Sequence, residues 1–322
     1  MFSHKGNLRF KDLSIDPTRS PKGEDVLISH AHADHVKLSK KSKFYSTPET
    51  IELIKLRYGE ATFGELKIGK ETKFDGFSVT PYPNGHILGS FQSKFSSDGT
   101  DYACTSDFRL KDSLLFKGAE PIKCDTLVLE TTFGSPEYAF EPYDNIVSEM
   151  TNWVKENAKK GLVLLAGYSL GKAQELTRIS NDAGLVPVVH ESIFASNKIY
   201  NSFGIKLGEY LRLNHNLKDA SVLIMPPQLV DRHLFATIEH FDKRKVFSAV
   251  ASGWDYKGYY DKVFHLSNHA DYNDLFAYVE AAKPKLILTD HGFADEFARK
   301  LNRKGFNAKP LAHHKQRVLG EF

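Results

Sequence analysis

Four side chains that commonly bind metals stand within six consecutive residues near the start of the chain. They follow the apolar run Val26-Leu27-Ile28, and in order they are His30, His32, Asp34 and His35. In extended backbone, alternate residues point to the same side, so His30 and His32 face one centre while Asp34 and His35 turn toward a second. This ligand set favours zinc, and manganese or iron fit nearly as well. A surface histidine cluster is the alternative interpretation, but the position directly after a buried strand favours a metal site.

Three further potential ligands follow predicted strands or glycine turns elsewhere in the sequence. His86 lies in the glycine-containing loop 84–90, Asp107 follows a strand at 102–104, and His291 follows a strand at 285–289. Each of them alone is more often an ordinary loop residue. Because loops held by a rigid sheet carry much of the chemistry of enzymes, their combination predicts two metal sites at the ends of strands.

The order of these residues resembles the metallo-β-lactamase superfamily. By that resemblance, one metal would be held by His30, His32 and His86, the other by Asp34, His35 and His291, and both would be bridged by Asp107. Asp16 resembles the early aspartate of the family, which orients the ligand loop. The family often has a glycine shortly after that aspartate, whereas here the sequence continues with Pro17, Thr18 and Arg19.

Asp107 and His291 lie much farther apart than in simple members of the superfamily, which predicts an inserted domain. Segment 129–134 (LETTFG) resembles the acidic motif A of the β-CASP nucleases, and segment 266–271 (LSNHAD) resembles their motif B. His291 then resembles motif C in its histidine form. These motifs span nearly the whole chain. Segment 168–174 (YSLGKAQ) adds a likeness to the compact β-CASP exonucleases that are linked with DNA ligase and a DEXH-box helicase.

The resemblance implies an α/β fold, an αββα metallo-β-lactamase sandwich with an inserted α/β β-CASP domain. We expect the first domain to comprise residues 1–141 and 256–322 and the insertion to comprise residues 142–255. The pattern inside the insertion agrees, because predicted strands at 161–166, 185–189 and 221–225 alternate with helices, including one at 173–180. Such alternation favours a parallel sheet.

By the same resemblance, the expected activity is hydrolysis of phosphodiester bonds by two divalent metal ions, with zinc preferred and manganese as the alternative. A water between the ions would lose a proton near neutral pH and attack phosphorus. The candidate catalytic residues are Asp34, Glu130 and His269. His269 would contact the scissile phosphate or protonate the leaving oxygen, while Glu130 orients it. In this family the cut leaves a 5′-phosphate and a 3′-hydroxyl.

The expected partner is nucleic acid, RNA or DNA, with single strands favoured, and a DNA ligase or a DEXH-box helicase is a further candidate partner. An exonuclease in nucleic-acid processing or repair is the preferred interpretation. Two alternatives stay open at this point. One is a small-molecule metallohydrolase of glyoxalase or lactonase type, and the other is a non-catalytic β-CASP subunit that binds nucleic acid.

Lys172 is the candidate substrate-binding residue of the insertion. It stands at a predicted helix start, where free amides and the helix dipole attract an anion such as a backbone phosphate. A tight strand-to-helix turn without a ligand is the alternative. The preceding segment 167–171 (GYSLG) also fits the nucleophile elbow of α/β-hydrolases, but that interpretation leaves the histidine cluster unexplained.

The composition fits an intracellular globular enzyme, expected in the cytoplasm. Of 322 residues, 41% are hydrophobic and 26% are charged, which allows a sizeable core and argues against disorder. The net charge of +3 is too small to indicate nucleic-acid binding by itself. No apolar targeting segment or membrane span is visible. Cys104 and Cys124 are interpreted as reduced core residues, and His313 and His314 as surface residues.

Overall fold

The computed structural model of the protein describes residues 1–4, 6–214, 217–256 and 260–311, so that His313 and His314 lie outside the described residues. The strands in chain order are β1 (Phe2–His4), β2 (Leu8–Phe10), β3 (Leu13–Ile15), β4 (Val26–Leu27), β5 (Lys43–Ser46), β6 (Thr62–Glu65), β7 (Thr72–Phe74), β8 (Phe77–Pro83), β9 (Phe91–Ser97), β10 (Thr100–Cys104), β11 (Thr126–Glu130), β12 (Leu162–Ala166), β13 (Val188–Val189), β14 (Leu211–Arg212), β15 (Val222–Met225), β16 (Val246–Ala251), β17 (Lys262–Phe264), β18 (Leu286–Asp290) and β19 (Ala308–Pro310).

The helices are α1 (Pro48–Tyr58), α2 (Tyr143–Ala158), α3 (Lys172–Asp182), α4 (Glu191–Ser202), α5 (Arg232–Asp242), α6 (Tyr272–Ala282) and α7 (Ala294–Arg303). Single 3₁₀ turns lie at Pro136–Tyr138 and Pro227–Leu229. Among the helices of the described residues, none is both long and apolar enough to cross a membrane.

The contacts divide the chain into two compact units. The first contains Met1–Asp112, Phe116–Ala139 and His269–Phe322, and the second contains Ser113–Leu115 and Phe140–Asn268. The sequence analysis placed the end of the insertion near residue 255. The inserted unit extends farther because β17 pairs with β16 in parallel and continues its sheet.

The first unit contains two sheets and has helices on both sides of the pair. One sheet has the order β1-β2-β3-β4-β5-β6, and the other has the order β19-β18-β11-β10-β9-β8-β7. Apolar side chains from both sheets, among them Phe10, Phe91 and Phe95, form one core between them. A second core lies between the seven-stranded sheet and helices α6 and α7. With α1 packed against the first sheet, the layers form the expected αββα sandwich.

Local sequence signals explain several element ends in the first unit. Helix α1 begins with Pro48 after the N-cap Thr47, whose hydroxyl accepts a hydrogen bond from the Thr50 amide. Helix α6 begins after Asp271, whose carboxylate accepts from the amide of Asp274 at 2.8 Å. Asp271 is therefore a helix cap, and this cap fixes where the segment that contains His269 ends.

The second unit is built around one sheet of parallel strands in the order β14-β13-β15-β12-β16-β17. The predicted strand at 161–166 is confirmed as β12, all of whose residues are buried. The predicted helix at 173–180 is confirmed as α3, with one residue added before it and two after it. The strand expected at 185–189 is shorter, because Pro187 has no amide hydrogen to donate and only Val188–Val189 pair.

Both cysteines are unoxidised, as the sequence analysis expected. Cys104 is buried in the core between the two sheets of the first unit, and Cys124 is half-buried beside its second core. Burial raises the pKa of both thiols, which for Cys124 reaches about 12. Neither thiol is therefore a candidate nucleophile at neutral pH.

Candidate metal centre and catalytic site

Three neighbouring parallel strands of the first unit end at the same edge and deliver three of the predicted site residues. Strand β11 pairs with β10 on one side and with β18 on the other, and all three run in parallel. Asp107 follows β10, Glu130 is the last residue of β11, and His291 follows β18. Because carboxyl ends of parallel strands meet at one sheet edge, residues that are far apart in sequence become neighbours.

The first group of potential ligands consists of His30, His32, His86 and Asp107. One ligand atom from each lies within 4.8 Å of all the others. His86 Nε2 lies 3.0 Å from His32 Nδ1, and His30 Nε2 lies 3.5 Å from Asp107 Oδ2. The structure thus brings together the four residues that the sequence analysis assigned to one metal and the bridge.

Asn84 ties two of these ligand loops together. Its amide nitrogen donates to the carbonyl oxygen of Asp107 at 2.7 Å, and its side-chain oxygen accepts from the His86 amide at 3.3 Å and from the hydroxyl of Ser90 at 2.5 Å. Gly85, between Asn84 and His86, has a φ of 73°, and an added Cβ would lie 2.8 Å from the carbonyl oxygen of Lys117. Glycine is therefore required at this turn.

The second group lies around His35 and is looser. His35 Nε2 lies 3.3 Å from Asp107 Oδ2 and 3.6 Å from Asp34 Oδ2. The His291 ring stacks beside the His35 ring with centroids 5.6 Å apart. Asp34 and His291 are exposed, and within the described part of the chain neither belongs to a set of three ligand atoms within 4.8 Å of one another.

His269 completes a third group with Glu130 and Asp107. Its Nδ1 lies 3.0 Å from Glu130 Oε1, and its Nε2 lies 4.0 Å from Asp107 Oδ2. The Glu130 carboxylate is buried and also accepts from the backbone amides of Phe108 and Thr132, at 3.4 and 2.9 Å. Since a carboxylate accepts hydrogen bonds and does not donate them, Nδ1 of His269 carries the hydrogen and Nε2 faces the ligand cluster.

Asp16 lies beneath the ligand cluster and contacts its supporting residues. Its Oδ1 accepts from the amide of Ser29 at 2.7 Å. Its Oδ2 accepts from the hydroxyls of Ser29 and Ser106, at 2.6 and 2.7 Å, and lies 3.2 Å from Nδ1 of His35. Ser29 Oγ in turn lies 2.8 Å from Nδ1 of His30. The position matches the orienting role that the resemblance implies for Asp16.

Three residues of the site hold a left-handed backbone although none of them is glycine. The φ angles are 42° for Asp16, 48° for Ser106 and 59° for His291. Such conformations cost about 1–3 kcal/mol each in strained cases and persist where the surrounding structure enforces them. After His291, an added Cβ at Gly292 would lie 2.7 Å from the carbonyl oxygen of Thr131, so the chain passes very close to the end of β11.

Neighbouring charges decide which groups of the cluster are ionised, because burial alone opposes every charged form. Burial acts to raise the pKa of Asp107, yet His35 and His269 hold that pKa well below its usual range. Burial acts to lower the pKa of His35, but Asp107 and Asp34 raise that pKa well above its usual range. Burial and His269 lower the pKa of His86, which therefore stays neutral. The site thus combines a neutral imidazole ligand with carboxylates that attract positive charge.

The residues present fit a bound metal ion. His30 is completely buried, and within the described residues its Nε2 has no hydrogen-bond partner, although it faces Asp107. A buried nitrogen without a partner costs stability unless a ligand satisfies it. Imidazole nitrogens with one shared carboxylate are the donor set that zinc and other first-row divalent ions prefer.

Lys172, the predicted phosphate-binding residue, is the first residue of α3 and is almost completely buried. Its amine lies 3.3 Å from Glu175 Oε2, and Glu175 is buried as well. Glu175 also accepts from the hydroxyl of Tyr143 at 2.6 Å and from the amide of Asn268 at 3.1 Å. In this structure the amine thus neutralises a buried carboxylate inside the second unit. A contact between Lys172 and a substrate phosphate stays a prediction.

Sequence reasoning missed several residues that support the ligands, among them Ser29, Asn84, Ser106 and Thr131. Their types are common and their contacts join distant segments, as the 2.5 Å distance between the hydroxyls of Ser29 and Ser106 illustrates. Only their position in the sequence beside a predicted ligand could have identified them as supporting residues. Ser29 precedes His30, Asn84 lies two residues before His86, and Ser106 precedes Asp107.

Comparison with known proteins adds independent information on this arrangement. The family described as "Zn-dependent metallo-hydrolase RNA specificity domain" matches residues 261–309, the segment that contains His269 and His291. A solved structure of a protein of unknown function from Enterococcus faecalis V583 superposes with a TM-score of 0.61, over 91% of this chain and 80% of that chain, at 16% identity. This likeness shows the fold.

Two curated relatives match most of this chain. A probable DNA ligase of Opitutus terrae is 31% identical over 306 residues, which cover 91% of this chain and 29% of the relative. The DNA cross-link repair 1A protein of Gallus gallus is 25% identical over 310 residues, which cover 87% of this chain and 31% of the relative. The chain thus spans about three tenths of the length of these relatives.

Proposed function

Because this chain belongs to the β-CASP branch of the metallo-β-lactamase superfamily, we propose that it is a metal-dependent nuclease acting on RNA or DNA. One observation carries the proposal, namely the position of Asp107. Its Oδ2 lies within 4.0 Å of four imidazole nitrogens, those of His30, His35, His86 and His269. A single carboxylate therefore joins both groups of metal ligands to the histidine that is the candidate proton donor.

The proposed cofactors are two divalent ions, zinc in preference to manganese. His30, His32 and His86 would hold one ion, Asp34, His35 and His291 would hold the other, and Asp107 would lie between them. When bound, such a pair supplies a nucleophile derived from water near neutral pH and neutralises charge on the phosphoryl oxygens. Asp34 lies beside the buried His35 but is itself exposed, so it would bind the second ion from the solvent side.

The protein's own contribution to bond cleavage centres on His269. Glu130 accepts the hydrogen at Nδ1, so it fixes the orientation of the ring. Nε2 then faces the ligand cluster and can hold the proton that the leaving oxygen needs. The His269 side chain is 22% exposed, which leaves a substrate able to reach it, while Glu130 is buried.

We propose a polynucleotide substrate because the site lies in a chain whose relatives are named for DNA repair and ligation and whose matching family is named for RNA specificity. An exonuclease that acts on single strands is the preferred form, and a DNA ligase or a helicase is the candidate partner. A cut that leaves a 5′-phosphate and a 3′-hydroxyl gives the kind of ends that a ligase joins.

The deciding experiment supplies metal-loaded protein with labelled single-stranded and duplex RNA and DNA, each end blocked in turn. A thioester, a lactone and bis-p-nitrophenyl phosphate are assayed in parallel, with His269→Ala as the matched variant. We expect the unchanged protein to shorten a polynucleotide stepwise, and we expect His269→Ala to lose this activity. Hydrolysis of the thioester or the lactone with no cleavage of any polynucleotide would overturn the proposal in favour of a small-molecule hydrolase. If the protein bound nucleic acid but took up no metal and cleaved no substrate, it would be a non-catalytic subunit.

A further inference from the structure

Helix α1 begins against one of the ligand loops and ends in an exposed turn. At the start of the helix, the Thr47 hydroxyl donates to the carbonyl oxygen of Gly89 at 2.6 Å, just after the loop residue His86. At the end of the helix, Tyr58 has 36% of its surface exposed. All of these residues belong to the first unit, which also carries the candidate metal ligands. The exposed last turn of α1 is therefore part of the same compact unit as the ligand cluster.

The last residue of α1 lies close to the second group of ligands. Burial of part of the ring raises the pKa of Tyr58, and the charge of Arg57 lowers that pKa. The charge of Asp34 raises the same pKa, and the charge of His35 lowers it. Because charges act through salt solution over only about 10 Å, a phenol that responds to Asp34 and His35 is their neighbour. Asp34 is exposed as well, so a substrate that reaches Asp34 also comes within reach of Tyr58.

Two cations of this region form no ion pair within the described part of the chain. Lys37, which follows the ligand loop, donates from Nζ to the carbonyl oxygen of Ala33 at 3.0 Å, and this contact is open to solvent. The guanidinium carbon of Arg57 lies 5.6 Å from the centroid of the Tyr58 ring. A carbonyl group and an aromatic ring are both neutral, so the positive charges of Lys37 and Arg57 are not offset by these contacts.

A third cation of the same region is already paired with carboxylates. Lys55 of α1 lies 3.2 Å from Glu52 Oε1 and 3.9 Å from Glu60 Oε2. A phosphate would have to compete with these carboxylates for the ammonium group of Lys55. Lys37 and Arg57 have no such competitor, so they are the cations of this region that suit an incoming phosphate.

An exposed aromatic ring together with two unpaired cations fits one nucleotide of a single strand. Aromatic side chains stack on bases of any sequence, and lysine and arginine contact backbone phosphates. Stacking requires a base that is not paired, so such a surface favours single strands over duplex. A small neutral thioester or lactone offers neither a base nor a phosphate to these side chains.

We propose that Lys37, Arg57 and Tyr58 form a nucleotide-binding rim beside the second group of ligands. Tyr58 stacks on the base next to the scissile bond, and Lys37 contacts the phosphate adjacent to the one that is cut. Arg57 supports the Tyr58 ring and adds positive charge. The inference rests on the proposed nuclease function and names the side chains that give it a preference for single strands.

The test measures binding of a labelled single-stranded oligonucleotide by fluorescence anisotropy at several salt concentrations. All proteins are loaded with zinc and carry His269→Ala, so that cleavage does not consume the strand. Tyr58→Leu should weaken binding by about 5–150-fold, the range for loss of one stacked base, whereas Tyr58→Phe should keep the affinity. On a strand without bases, Tyr58→Leu should have no effect. Lys37→Gln should reduce the slope of log affinity against log salt concentration by about 1.

Lys55→Gln is the matched control, because it removes from α1 a charge that two carboxylates already offset, and the salt slope should stay unchanged. Unchanged binding in Tyr58→Leu, an equal loss on the strand without bases, or an equal change of slope in Lys55→Gln would overturn the rim. Cleavage is assayed separately with His269 intact, so the two proposals have separate readouts. Strand binding that depends on Tyr58 and Lys37 in a protein that cleaves no polynucleotide would support the rim and overturn the proposed function.

Discussion

The hydroxyl of Thr131 lies 2.7 Å from the backbone carbonyl oxygen of His291 and 2.9 Å from that of Asp290. Thr131 follows β11 directly, and Glu130 at the end of β11 contacts His269. One strand end therefore positions the candidate proton donor through its glutamate and a candidate metal ligand through its threonine. The parallel register, in which Glu130 is paired with Asp290, brings both connections to the same place.

Replacement of Thr131 by valine should weaken the metal site that contains His291. Valine has nearly the same shape but cannot donate, so the carbonyl group of His291 loses this partner, at a cost of about 1–3 kcal/mol if buried. The carbonyl group of Asp290 keeps the backbone amide of Thr131 as a donor. We expect lower affinity for one zinc ion, measured by competition titration. Thr289→Val is the matched control, since the Thr289 hydroxyl donates to the carbonyl of Ala294 instead. Equal losses of zinc affinity in both variants would show that the loss comes from reduced stability of the folded protein and not from the contact between Thr131 and His291.

His269→Ala should retain both metals and lower turnover by roughly 10²–10⁴-fold, the range for loss of one positioned proton donor. The ring contacts Glu130 and lies near Asp107 and the ring of His86, but His269 is not one of the predicted metal ligands. Turnover is measured on a labelled oligonucleotide alongside metal content. Near-normal turnover at full metal content would reassign His269 to a structural role.

Removal of metal should lower the stability of the first unit. A ligand at a free concentration one hundred times its dissociation constant stabilises the folded state by about 2.7 kcal/mol per site. Without it, the buried Nε2 of His30 has no partner within the described residues. Chelation should therefore lower the melting temperature, and added zinc or manganese should restore it. An unchanged melting curve after verified removal of metal would contradict a buried metal site.

Lys172→Met should destabilise the second unit, because it leaves the buried carboxylate of Glu175 without its cationic partner. Breaking a buried pair in this way costs about 3–5 kcal/mol. The double variant Lys172→Met/Glu175→Gln should recover most of the loss, as measured by denaturant unfolding. If the single variant were as stable as the unchanged protein, the pair would not have the structural role that its burial indicates.

The same Lys172 variant tests whether that lysine also contacts a substrate phosphate. Loss of one phosphate contact reduces the slope of log affinity against log salt concentration by about 1. A matched comparison is Lys155→Met, which changes an exposed lysine in the last turn of α2. An unchanged salt slope in folded Lys172→Met would eliminate the predicted phosphate contact.

The candidate metal ligands could be named from the sequence because each is marked by a local pattern, and the structure brings several of them together. His30, His32, Asp34 and His35 stand together after a buried strand, and His86, Asp107 and His291 follow strand ends or glycine turns. Because neighbouring strands of a rigid sheet end at the same edge, residues that follow those strands lie close together in space. The helix cap at Asp271 could be predicted for the same reason, because a cap depends on residues only three positions away.

The supporting residues could not be predicted, because their roles arise from contacts between distant segments. The Ser106 hydroxyl meets Asp16 across ninety residues, and Asn84 meets the Asp107 backbone across twenty-three. The extent of the insertion depended on a similar long-range pairing, that of β17 with β16. The role expected for Lys172 came from its place at a helix start, whereas its burial against Glu175 depends on packing that the sequence does not encode locally.

The left-handed backbone at Asp16, Ser106 and His291 has a consequence for how this protein can be improved or can diverge. Glycine at these positions would relieve backbone strain, but it would also remove the hydrogen bonds of Asp16 and Ser106 and the ring of His291. The gain from relieved strain is therefore offset by polar groups that are left without partners. The range of tolerated substitutions at these three positions should be narrow, because the residue that suits the backbone best lacks the side chain that the site uses.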